Sequence, residues 1–118
     1  MVEKRVMVHC GEPPSVDPEI IALEGGDTFI IAVDRPGVTV FVPLGPVVFA
    51  GGKKVYEIAG RELRVTVLPA NTIKTDLGRF VDGVGQLPCP CSIYCAESNV
   101  IVEPKIRGSA PVIIIKTD

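Results

Sequence analysis

Three of the four cysteines fall within seven residues, in the run Cys89-Pro90-Cys91-Ser92-Ile93-Tyr94-Cys95, followed at once by Ala96-Glu97-Ser98-Asn99. Thiolates separated by one and by three residues converge on one soft metal ion, or on an adjacent pair, when a turn between strands brings their sulfurs to one rim. The expectation is a metal-binding loop that has lost part of its ligand set. The same residues fit a relic loop that now holds a disulfide, Cys91 to Cys95 or Cys89 to Cys10. Cys10, taken alone, fits equally well as a small buried core residue. The single histidine, His9, alternates in phase with Met7 and Arg5 on a strand whose other face carries Val6 and Val8, which predicts a surface position.

Other site chemistry finds little support. One histidine completes no evident Ser/His/Asp set, no paired carboxylates mark a cleft, and no glycine-rich nucleotide fingerprint is present. Gly25-Gly26-Asp27 is no phosphate cradle, because no helix comes after it. A Cys95 nucleophile with His9 as its base is the one catalytic pair left, and the expectation is that the chain is not an enzyme by itself.

Length and composition bound the rest. At 118 residues and 47% hydrophobic, the chain is expected to form a single domain, residues 1–118, with enough apolar side chains to fill one core. Twelve basic against fourteen acidic residues, without a basic cluster or aromatic platform, argue against nucleic acid as a partner. No apolar run approaches the roughly 20 residues that span a bilayer, and the first ten residues carry charge and valine in place of a signal-peptide core. A soluble chain without membrane insertion is expected.

The elements that must position the cysteines are strands. Nearly every apolar segment is short, β-branched and bounded by Gly, Pro or Asp. Strands are predicted over 4–9, 19–24, 28–33, 38–42, 54–58, 63–68, 92–94 and 112–116, with a further extended piece over 100–103. Turns fall at Gly25-Gly26-Asp27, Arg35-Pro36-Gly37, Gly51-Gly52 and Ala59-Gly60. Eleven prolines and twelve glycines disfavour long helices, and 72–80 is the one stretch where a helical turn is expected. Short strands at such intervals predict an all-β, Greek-key β-sandwich or barrel.

These residues carry a family resemblance. Val38-Thr39-Val40-Phe41-Val42-Pro43-Leu44-Gly45, then Gly60-Arg61, then Cys91-Ser92-Ile93-Tyr94-Cys95-Ala96 resemble, in order and spacing, the cupredoxin domain that carries the binuclear copper centre CuA in subunit II of cytochrome oxidases. The strand-turn-strand around Gly25-Gly26-Asp27 is similar to the opening of many cupredoxins. The resemblance implies a cupredoxin-like Greek-key β-sandwich in which Cys91 and Cys95 would bridge copper and the Ile93 carbonyl would ligate. It also implies ligands that are missing here. A histidine belongs where Val38, Thr39 and Val40 stand, a second at Asn99, and a methionine at Val102 or Ala110.

In the topology that the resemblance implies, the first strand runs toward the metal end and brings His9 and Cys10 near the cysteine run. One expectation is thus a substitute site in which Cys91 and Cys95, with Cys89, Cys10 or His9, hold zinc or copper and support electron transfer. The chain would then be a subunit or relative of a respiratory oxidase, working at the extracytoplasmic face of a membrane. The other expectation is a metal-free structural or interaction module, an accessory subunit or homo-oligomer partner with a disulfide or thiols. The apolar run Val47-Val48-Phe49-Ala50 and open sheet edges make association with a protein partner an expectation of this second reading.

Overall fold

The computed structural model describes residues 2–11, 14–17, 20–69, 86–97, 99–102 and 112–116. They form β1 (Glu3–His9), β2 (Ser15–Asp17), β3 (Ile20–Leu23), β4 (Thr28–Val33), β5 (Val38–Phe41), a four-residue helix α1 (Gly45–Val48), β6 (Val55–Ile58), β7 (Glu62–Thr66), β8 (Gln86–Pro90), β9 (Ser92–Cys95), β10 (Val100–Val102) and β11 (Val112–Lys116). The fold is all-β, as the short β-branched segments require. The helical turn expected over 72–80 lies outside the described residues.

The strands hydrogen-bond into three sheets, ordered β2-β1-β4-β7, β10-β9-β5-β6 and β3-β11-β8. Pairing is mixed. β1 runs parallel to β4 and β3 parallel to β11, whereas the remaining pairs are antiparallel. Alternation then decides which side chains meet. Val6, Val8 and Cys10 point inward from the first strand and its end, Phe29, Ile31 and Val33 from β4, Val38 and Val40 from β5, and Ile93 and Cys95 from β9. All belong to one hydrophobic core, so the inward faces of the sheets pack on each other as in a β-sandwich.

The outward face of the first sheet is sealed by charge. Arg5, Ile30 and Arg64 sit side by side across β1, β4 and β7, and ion pairs run diagonally between them: Arg5 to Glu62 at 3.3 Å, and Arg64 to Glu3 and Glu62 at 3.0 Å each. Ile30 beneath them is 1% exposed, because long basic stems shield apolar surface while their heads stay wet.

Local chemistry explains the elements that patterning alone does not announce. Pro46 occupies the first turn of α1, where its fixed φ costs nothing. The helix packs backbone to backbone on residues 49–53: a β-carbon at Gly45 would collide with the Lys53 carbonyl, and one at Gly52 with the carbonyls of Gly45 and Phe49. Both positions therefore need glycine for close approach. Phe49, just past the helix, stacks on Phe29 with ring centroids 6.4 Å apart. The run at 47–50, expected to be an association surface, thus spends Val48 and Phe49 on the core. β8 carries Pro88 and Pro90, which usually argue against a strand, but it is an edge strand paired only through β11 among the described residues.

A half-buried network ties the start of the first strand. Asp27 is 2% exposed and accepts from the backbone N–H of Glu24 (2.9 Å) and of Val2 (3.3 Å), with the Lys4 ammonium 3.5 Å away. Burial by itself would raise this carboxyl. The two N–H donors and Lys4 outweigh it and hold Asp27 below its ordinary value.

Candidate functional site at the cysteine end

The stretch 89–95, expected as a cysteine loop with a short strand at 92–94, is extended chain that passes from one sheet to another. β8 ends at Pro90, β9 begins at Ser92, and Cys91 is the link between them. Strand alternation turns Cys89, Cys91, Ile93 and Cys95 inward, and each is 0–1% exposed. At about 3.3 Å per residue, Cys95 lies roughly 13 Å along the chain from Cys91. The loop geometry that would fold these two sulfurs onto a common ion is not the geometry of this segment.

Cys95 meets Cys10 instead. The two form a disulfide across 85 residues of sequence, with Cα atoms 6.0 Å apart. It joins the end of β1 in the first sheet to the end of β9 in the second, so it staples two sheets across the core. The pairing is neither Cys91 to Cys95 nor Cys89 to Cys10. The first strand delivers Cys10 to the end of the cysteine run.

The turn between β4 and β5, residues 34–37, sets both half-cystines. On one side the Asp34 N–H donates to the Val8 carbonyl (3.2 Å), and Asp34 Oδ1 accepts from the Cys10 N–H (3.0 Å). On the other, the Gly37 carbonyl accepts from the Ala96 N–H at 3.0 Å. Gly37 adopts φ +77°, and a β-carbon there would stand 3.6 Å from the Ala96 β-carbon. One tight turn thus grips the residue at Cys10 and the residue after Cys95. Sequence reading places a turn at Arg35-Pro36-Gly37 but gives Asp34 no part in it. The available signal was an aspartate directly after an apolar strand and before Pro-Gly.

His9 sits on the outer face with its side chain 51% exposed, in the phase that its strand predicts. Its Nδ1 is 3.7 Å from Asp34 Oδ2, and Arg35 Nε is 3.7 Å from Asp34 Oδ1. Arg61 donates to the Asp34 carbonyl at 3.3 Å. These groups make a polar rim around Asp34. With Cys95 in the disulfide, it is not the nucleophile of a Cys95–His9 pair.

Cys89 and Cys91 remain thiols in the core. Burial pushes both up to about 12, and for Cys91 the neighbouring Cys89 adds to the effect. At neutral pH they are protonated, which is the unreactive and weakly ligating form. Among the described residues, which include His9, Cys10, Cys89, Cys91 and Cys95, no three His, Cys, Asp or Glu side chains come together in a way that could hold a metal ion.

The positions where the resemblance asks for copper ligands are occupied in other ways. Val38 is buried and pairs with Cys95, and Val40 pairs with Ile93. Asn99 takes φ +53° and accepts from the Tyr94 hydroxyl at 3.1 Å, closing the turn between β9 and β10. Val102 pairs with Ile93 as part of β10, while Ala110 lies outside the described residues. No helix among the described residues is long and apolar enough to cross a membrane. No protein-family model matches this chain, and no curated protein matches it in sequence.

Proposed function

We propose that this chain is a cupredoxin-like Greek-key β-sandwich in which a disulfide stands where the family carries copper, and that it serves as a structural or interaction module. The observation that carries this reading is the Cys10–Cys95 staple between two sheets, seated by Asp34 and Gly37. The parallel β1–β4 pair beside antiparallel neighbours and the shared core agree with such a sandwich. A disulfide of this kind persists in oxidising surroundings, so the module works outside a reducing compartment. Valine at the expected histidine position and a hydrogen-bonded asparagine at the second favour a scaffold over an electron carrier.

A second reading keeps a soft metal. Its support is the contact of Cys10 with Cys95: reduction would leave two facing thiols, a pair that copper(I) accepts, while His9 stays on the outer face. Electron transfer as an oxidase-subunit relative belongs to this reading.

The experiment that separates them is metal analysis of the protein, dialysed against copper(I) and zinc in turn, first oxidised and then reduced. The module reading expects no stoichiometric metal in either form. Stoichiometric copper(I) or zinc in the reduced form would replace it with the metal reading.

A further inference from the structure

We propose that β6 is a dimerisation edge, pairing antiparallel with β6 of a second copy of this chain; this rests on the interaction-module reading and names its partner. Among the described residues, three of the four large apolar side chains that stand exposed, Phe41 (40%), Val55 (47%) and Ile101 (60%), lie on the second sheet. Phe41 and Val55 are directly opposed across β5 and β6, on the sheet's outward face. The outward face of the first sheet is closed by crossed ion pairs, whereas among the described residues none crosses this one.

β6 ends the order β10-β9-β5-β6, and among the described residues no strand lies beyond it. Hydrogen-bond phase shows which of its peptide groups face outward. The Lys54 carbonyl accepts from Val42 of the β5 side at 2.7 Å, so the alternate peptide groups, those of Val55 and Glu57, point to the open edge. A groove of about 590 Å³ opens there, lined by Lys53, Val55, Tyr56, Glu57 and Leu63.

The sequence of the edge is self-complementary about a twofold axis. If Val55 faces Val55 of the partner and the pairing continues into the two residues that lead into β6, with the Lys53 N–H giving up its bond to the Tyr56 hydroxyl (2.8 Å), Lys53 of each copy stands opposite Glu57 of the other, giving two matched charge pairs that flank one apolar contact. Phe41, beside Val55, then extends an apolar row of four side chains across the axis. A register shifted by two residues sets Val55 against Glu57 and loses both charge pairs. Strand addition supplies main-chain bonds, and the flanking charges choose the register.

The test is sedimentation of the full oxidised chain from about 1 µM to 1 mM at low salt, with Glu57→Lys, Lys53→Glu and Val55→Lys beside it. The expected result is a concentration-dependent dimer that Glu57→Lys weakens by about tenfold or more and Val55→Lys abolishes. Mixing Glu57→Lys with Lys53→Glu, each opposed to itself by like charges, restores a heterodimer. All three sites are exposed, so unchanged melting of the variants shows that the fold is intact. A monomer throughout the range, or a dimer indifferent to these substitutions, overturns the β6 interface. Either outcome leaves the metal analysis to decide the module reading separately.

Discussion

The two ends of the parallel β1–β4 pair are held by different chemistry for the same task. Where the strands begin, Asp27 gathers the Val2 and Glu24 N–H groups and Lys4 around one buried carboxylate. Where they finish, Asp34 anchors Cys10 and a covalent bond ties it to Cys95 in another sheet. The first tether is local and ionic, and so titrates. The second links distant sequence and does not respond to acid. The lesson is that an aspartate at a strand end seats the backbone in both places, but only the cysteine end connects one sheet to the next.

Removing the covalent end should have the largest effect. Cys10→Ala with Cys95→Ala frees a loop closed across 85 residues, and the chain-entropy relation gives about 4–5 kcal/mol, measured as a drop in denaturation midpoint with a steeper slope, since the uncrosslinked denatured chain exposes more surface. A loss below about 1 kcal/mol would mean that the staple carries little of the fold's stability.

Breaking the ionic end should cost less. Asp27→Ala leaves two part-buried N–H groups without their acceptor, for about 1–2 kcal/mol, and Asp27→Asn should recover part of it. The pH dependence has a definite sign. Because the folded carboxyl lies below its ordinary value, the unfolded chain takes up the proton first as pH falls; the Asp27 contribution is whole above about 4 and fades below it. Denaturant titrations at pH 6 and pH 3 should therefore show an acid loss that Asp27→Asn diminishes and the Cys10/Cys95 double variant keeps. An acid loss unchanged by Asp27→Asn would remove this carboxylate from the account.

A similar contrast holds within the cysteines. Cys89→Ala deletes one sulfur from the core and should cost about 1 kcal/mol, well under the loss of the staple. In the native protein at pH 7, thiols pushed up to about 12 should label over hours, with the rate rising as pH rises; unfolding without reductant should release two at once. Rapid native labelling of either would contradict their placement.

Much of the fold was legible where pattern and burial coincide. The ranges 28–33 and 112–116 are strands at the bounds that β-branched runs predict, and His9 lies on the outer face that its phase with Arg5 and Met7 demands. β2 and β8 were not legible, since prolines surround the one and interrupt the other, and only tertiary placement makes them strands. α1 hid behind Gly45-Pro46, where the helical signal was the proline and not a periodic apolar face. At the site, the inward phase of Cys10 with Val6 and Val8 was readable, and its approach to the cysteine run came from the resemblance. The partner was not readable. Choosing Cys95 over Cys89 or Cys91 depends on the Asp34–Gly37 turn and on the strand that Ser92-Ile93-Tyr94-Cys95 forms against β5, both of which are long-range facts.

The most direct measurement is peptide mapping of the native protein, alkylated after unfolding without reductant and digested. The account predicts one linked pair, Cys10 with Cys95, and alkyl groups on Cys89 and Cys91. Four alkylated cysteines, or a link from Cys91 to Cys95 or from Cys89 to Cys10, would contradict it.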